Sequence, residues 1–436
     1  MKAAVIGAGL AGCEAAKQLS RAGIPTYLYE MKPKKFSPAH KSENFAELVC
    51  SNSLKAERLN SAAGLLKAEM ERLSSVCVAA AKKTRVPAGG ALSVDRDEFS
   101  ALITENIKSD KNITVINEEV SVLPDADVTV VAAGPLASDA LAETIHTLCG
   151  DGLSFYDAAA PIVSADSVDM DFAFTQSRYD RGGSDDYINC PMNKEQYEAF
   201  YEAIINAESA EIHSFDKRHD VYEGCMPIEV LASRGKDTMR FGPLKPVGLR
   251  DPRTGHRPWA NLQLRRENSD GTMYNLVGFQ TNLKFGEQKR IFSMFPALHD
   301  AEFLRYGVMH RNTFINSPRL LNSSYSLRSD AKIFFAGQIT GVEGYMESAS
   351  SGIMAGINAA RFLSGKEPLL LPRTTVIGAL ARYISDETVT NFQPMGANFG
   401  ILPPLPEKIR DKSERYTAIA ERGMKDLEEY LKSLGL

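Results

Sequence analysis

The chain of 436 residues carries 44% hydrophobic and 24% charged side chains, the balance of a globular protein of about two or three domains with a sizeable core. Its formal net charge of −5 excludes a globally basic nucleic-acid binder, so any RNA contact must rest on a local patch. Near-apolar stretches such as Val128 to Ala137 are too short to span a bilayer, and the six cysteines hold no C-x-x-C pair; the reading is a reduced, cytoplasmic protein with no membrane span, disulfide framework or metal site.

Lys2 to Ile6 is a short apolar run that leads into Gly7-Ala8-Gly9-Leu10-Ala11-Gly12, a G-x-G-x-x-G. Cys13 to Arg21 follows as a helix closed by Gly23 and Pro25, and Thr26 to Tyr29 is a second strand ending in Glu30. Strand, glycine turn, helix, strand and acid together specify a dinucleotide site. Gly7 permits the tight turn, Gly9 lets backbone approach a pyrophosphate, and Gly12 lets the helix sit close on the sheet. Glu30 would accept hydrogen bonds from an adenosine ribose. Its charge disfavours a 2′-phosphate, so FAD or NAD(H) is expected here and not NADP(H).

Phe45 to Ser53 sets Cys50 before a Ser-Asn-Ser cluster suited to a loop or cap near a ligand. Leu65 to Leu73 is helical by spacing, Val86 to Leu92 reads as a strand with a glycine break, and Asp95 caps a further helix. Ile113 to Ile116 and Asp127 to Ala133 read as buried strands, the second ending at Gly134, where ligands sit in open α/β sheets. Polar loops then alternate with short strands, and the helix Lys194 to Asn206 places Tyr197, Phe200, Tyr201, Ile204 and Ile205 on one face. A strand at Lys332 to Ala336 runs into Gly337, Gln338, Gly341 and Tyr345, and a helix rich in Gly, Ala and Ser follows, able to lie close to a sheet or a planar ligand. The expected fold class is α/β: a split FAD-binding, glutathione-reductase-like Rossmann domain with an inserted α+β domain. Its parts are residues 1–156, the insert 157–275, and 276–436 with the C-terminal helices. That split favours FAD over a simple NAD dehydrogenase.

Several residues carry candidate chemistry. Cys225 lies in a turn constrained by Gly224 and Pro227, and Cys50 stands beside its polar cluster. His310 sits in a polar loop, while Tyr345 either stacks on a flavin or plugs the core. Arg240, Lys245, Arg250, Arg253, Arg257, Arg265 and Arg266 crowd one stretch with His256 and Trp259 interleaved. At that density they read either as a solvated charged face or as a surface for a nucleic-acid phosphate backbone.

The segments Gly7–Gly12, Phe45–Ser53, Val86–Leu92, Tyr156–Ile162, Glu223–Glu229, Phe241–Gly248, Tyr306–Asn316 and Phe335–Tyr345 closely resemble the folate- and FAD-dependent tRNA uracil-5-methyltransferases, across essentially the whole chain. The resemblance implies that methylenetetrahydrofolate gives its one-carbon unit to C5 of an RNA uridine, with FAD supplying electrons and NADPH or NADH re-reducing it. It implies that Cys225 and Cys50 are the two functional cysteines, that His310 stacks on the folate, and that Tyr345 lies beside the flavin ring. Uracil C5 becomes nucleophilic only after addition at C6, which suits a thiolate, and a second group must then take the C5 proton. Cys225 is favoured as nucleophile and Cys50 as acid/base, with the reverse order open. The expected substrate is the T-loop uridine of tRNA. The alternatives are a 23S rRNA uridine and a flavin-binding RNA chaperone without turnover. No obligate protein partner is evident.

Overall fold

The computed structural model describes residues 1–150, 153–158, 160–180, 186–209, 226–268, 271–307, 309–389, 392–407 and 409–435, with backbone alone at 153–158, 180 and 309–313. At its centre is a five-stranded sheet, parallel throughout. Its order is Ile333–Phe335, Val128–Val131, β1 (Ala3–Ile6), β2 (Thr26–Tyr29) and Ile113–Ile116. Ala3–Ile6, Val128–Val131 and Ile333–Phe335 are buried at every position and near-continuously apolar, as a helix-covered parallel sheet requires. One strand comes from late in the chain and closes a sheet begun at residue 3, so the fold is split as expected.

Helix α1 (Leu10–Arg21) follows β1 directly. A side chain at Gly12 would collide with the carbonyl oxygen of Gly7, and Gly7 itself has φ +97°. Both glycines are therefore structural. The small-residue helix is Tyr345–Leu363, and it packs most closely on α1: any side chain at Gly352 or Gly356 would strike the backbone of Ala11 or Ala15. Ser61, Asp95 and Thr375 cap other helices as such residues do, Asp95 accepting from the amides of Asp97 and Glu98. Val86 to Leu92 is a hairpin and not one broken strand. Arg85–Val86 turns back through Gly89 and Gly90 to pair antiparallel with Ala91–Val94.

A second, six-stranded antiparallel sheet runs Phe174–Thr175, Tyr187–Met192, Ala260–Arg266, Met273–Leu276, Ile162–Ser164, Phe303–Arg305. It has its own core, in which Tyr197, Phe200 and Ile204 of the Lys194–Ile205 helix are buried. Ile205, expected on that face, is 41% exposed, because one residue past Ile204 turns the helix about 100° away from the core. Phe279, Ile291, Phe292, Phe295 and Leu298 also belong to this core, so the chain just after residue 275 packs with the antiparallel sheet.

Candidate active site

The carboxyl ends of the parallel strands open into a cleft of about 430 Å³. Gly7 to Ala11, Glu30, Gly134, Gly337 and Gln338 line one part of it, and Cys50, Ser51, Tyr345 and Glu347 another. The first turn of α1 begins without a side-chain cap, and a side chain added at Gly9 or Gly134 would meet nothing within 4 Å. Free amides at a positive helix end beside open space suit a pyrophosphate. The Glu30 carboxylate accepts from the amides of Ala8 at 2.9 Å and Lys32 at 3.0 Å, so it braces the glycine turn as well as facing the cleft. Glu347 is 1% exposed, and its Oε2 has no hydrogen-bond partner among the described residues. A buried, unsatisfied carboxylate oxygen in a cleft wall suits a ligand that donates a hydrogen bond. The cradle, the open glycines and this oxygen fit the expected FAD. Two of the named glycines do other work. Gly12 faces Gly7, and Gly341 lies under the Phe392 ring, outside the cleft lining.

At the cleft's other end, the backbone around Cys50 is held from several directions. Tyr345 Oη accepts from the amides of Cys50 at 2.8 Å and Ser51 at 3.3 Å, and lies 2.9 Å from Cys50 Sγ. Arg96 donates to the carbonyl of Leu48 at 2.7 Å, and Arg305 donates to that of Val49. Arg265 donates to Asn52 Oδ1 at 3.0 Å and Ser51 Oγ at 2.8 Å. Glu267, 1% exposed, grips Arg96 through two bonds of 2.7 and 3.0 Å. Burial opposes the charge of all three guanidiniums. Glu267 more than offsets it at Arg96, whereas Arg265 and Arg305 are held below their ordinary values. Burial and the neighbouring Cys50 push the Tyr345 phenol well up. It therefore stays protonated, and it shares a hydrogen bond with Sγ in which either atom can donate.

Tyr345 packs its ring against the edge of the parallel-sheet core while lining the cleft, and its hydroxyl anchors the cysteine. Cys225 lies outside the described residues. Just after it, the amide of Ile228 donates to the carbonyl of Gln280, a cleft-lining residue, and Glu229 accepts from Asn282 and Thr281. The His310 side chain is likewise outside the described residues, and its backbone pairs with Asp157. Cys13, Cys77 and Cys190 are buried thiols pushed up by burial, and Cys149 is pushed up to about 11.

The basic stretch divides. Arg265 turns inward to the Cys50 loop. Arg253 is tied to Asp251 by bonds of 3.0 and 2.7 Å, and Arg240 to Asp237 at 2.7 Å while stacking on Trp259. Lys245, Arg250 and Arg257 are exposed and have no carboxylate partner among the described residues. Motif reading missed Arg96, Arg305 and Glu267, and also His40 and Lys55 in the cleft wall.

The family model described as glucose inhibited division protein A matches residues 2–367. Methylenetetrahydrofolate--tRNA-(uracil-5-)-methyltransferase TrmFO of Acetivibrio thermocellus is 60% identical over 98% of this chain and 98% of its own. The proteins of that name from Enterococcus faecalis and Lactobacillus gasseri are each 55% identical, over 99% and 98% of this chain and 99% and 97% of their own. Among solved structures, two crystal forms of GidA from Aquifex aeolicus superpose with TM-scores of 0.68 and 0.70 at 16% identity. They match 100% of this chain and 76% and 78% of their own, a likeness of fold. With a sequence match of this depth running nearly end to end, the chain belongs to the GidA family and, within it, to the TrmFO methyltransferases.

Proposed function

We propose that this protein transfers the one-carbon unit of methylenetetrahydrofolate to C5 of a tRNA uridine, giving 5-methyluridine, with the T-loop uridine as target. The observation that carries the reading is Cys50, clamped by Tyr345 and three arginines, in the same cleft as the dinucleotide cradle. FAD, when bound, supplies the electrons that turn the transferred carbon into methyl, and NADPH or NADH restores them. The chain's own residues do the rest. Gly7 to Gly12 and Glu30 hold the cofactor. A thiolate adds to uracil C6, and a second group removes the C5 proton. We assign the addition to Cys225 and the proton to Cys50, whose sulfur has the Tyr345 hydroxyl as a hydrogen-bond partner at 2.9 Å. Arg96, Arg265 and Arg305 stabilise negative charge developing near that sulfur. His310 is assigned to the folate, and Lys245, Arg250 and Arg257 to RNA phosphates, with Arg240 and Arg253 shaping that surface. The names of the curated relatives favour tRNA over the ribosomal alternative. The described residues include no helix long and apolar enough to cross a membrane; we place the enzyme in the cytoplasm with its tRNA substrate.

The test is mass spectrometry of tRNA and rRNA from a deletion strain, where tRNA loses 5-methyluridine and rRNA keeps it. An RNA bearing 5-fluorouridine separates the thiols, because fluorine cannot leave as a proton does. Cys225→Ala abolishes the trapped adduct, whereas Cys50→Ala stops turnover and keeps trapping. The opposite pattern exchanges the two roles.

A further inference from the structure

The antiparallel domain carries a second groove, of about 620 Å³, separate from the cleft and lined in part by arginines assigned above to RNA. Its wall includes Trp259, Arg240, Lys194, Arg257, His256 and Phe172. Trp259 is 37% exposed and Phe172 51%, so both rings reach solvent at the groove. The guanidinium of Arg240 lies 3.9 Å from the centre of the Trp259 ring, held there by Asp237 and the Trp259 carbonyl. On the same ring, Lys194 Nζ stands 5.6 Å from the centre. Lys194 and Arg257 have no carboxylate partner among the described residues, and the groove's one acid, Asp251, is spent on Arg253.

A fixed aromatic ring with two cations over it, and further positive charge at the rim, suits a flat base joined to a phosphate. Two sources carry it, RNA and a reduced nicotinamide dinucleotide. Unpaired Arg250, next in sequence to Asp251 of the groove, continues the charge beyond it. A run of phosphates uses such an extension and a small dinucleotide does not. We infer that this groove holds an unpaired nucleotide of the RNA substrate other than the methylated uridine, its base stacked at Trp259 and its phosphate met by Lys194 and Arg257. The inference rests on the proposed RNA substrate and gives the insert a task of its own, to fix the register of that RNA.

Trp259 is the only tryptophan in the chain, so tryptophan emission excited to the red of the 15 tyrosines reports on this groove. Titrating the FAD-loaded enzyme with unmethylated tRNA should quench that emission saturably, and NADPH alone should leave it unchanged. Trp259→Ala should raise KM for tRNA about ten-fold, the scale of one lost base stack, with kcat and flavin reduction by NADPH unaltered. Trp259→Phe should restore most of the affinity. Lys194→Glu should raise KM and flatten its salt dependence. Unchanged emission at saturating tRNA, or quenching by NADPH and not by RNA, overturns the assignment. Absence of 5-methyluridine with quenching intact would refute the proposed reaction and leave the groove's RNA contact standing.

Discussion

Tyr345 Oη lies 2.8 Å from the amide nitrogen of Cys50 and 2.9 Å from its sulfur, so one hydroxyl fixes both backbone and thiol. Tyr345→Phe strips two amides of their acceptor and the sulfur of its partner. At about 1–3 kcal/mol for an orphaned buried group, turnover should fall roughly ten- to a hundred-fold while FAD stays bound. Flavin absorbance and single-turnover methylation check this together, and an unchanged rate would remove Tyr345 from the site.

Gly9 and Gly12 separate cofactor binding from folding. A side chain at Gly9 meets only open cleft, whereas one at Gly12 strikes the Gly7 carbonyl. Gly9→Val should keep the apoprotein's melting temperature and lose FAD. Gly12→Val should lower stability by roughly 1–3 kcal/mol or more. Calorimetry of the flavin-stripped proteins distinguishes the two.

Glu267 is the buried counter-charge of Arg96, beside Arg265 and Arg305. Glu267→Gln leaves those guanidiniums short of an anion, at a cost of about 3–5 kcal/mol. Replacing both partners, as Arg96→Met with Glu267→Leu, should recover much of the stability and none of the activity, because the Leu48 carbonyl loses its donor. Denaturant melts and activity assays on the three variants test this.

Glu69 gives a pH signature. Its carboxylate oxygens accept from the amides of Val376 and Ile377, yet burial pushes the group up to about 8. Its folded value exceeds its unfolded one, so the folded state binds the extra proton. Its contribution is complete below about pH 4.5 and is lost as pH rises to 8, at ~1.4 kcal/mol per unit. Wild type should therefore lose stability relative to Glu69→Gln between pH 5 and 8. Parallel curves for the two proteins would contradict it.

Arg250→Glu with Arg257→Glu should weaken RNA binding and reduce its salt slope, since both are exposed and unpaired. Arg265→Glu should instead abolish activity through the Cys50 loop. Filter binding across a salt series, set beside methylation rates, separates them.

The parallel sheet and its first helix were legible in sequence because their signals are local: an apolar run, a glycine spacing, an acid at a strand tip. The Asp95 cap was legible for the same reason. The surroundings of Cys50 were not. Arg96, Arg265, Arg305 and Tyr345 come from segments far apart in the chain, and only tertiary closure brings them to one loop. Arg265 sits in a basic stretch that reads as surface, but its strand is covered on both faces, which composition cannot reveal. The outer limit of the insert was hidden similarly. Phe279, Phe292 and Phe295 choose the antiparallel core by packing, not by any change in local pattern.

The clamp on Cys50 draws its arms from both halves of the molecule, Arg96 and Tyr345 from the parallel-sheet side and Arg265, Glu267 and Arg305 from the antiparallel side. The loop that carries the sulfur is therefore hydrogen-bonded to both halves at once. A shift of one half against the other would be felt directly at that loop, because these bonds join it to both with no segment in between.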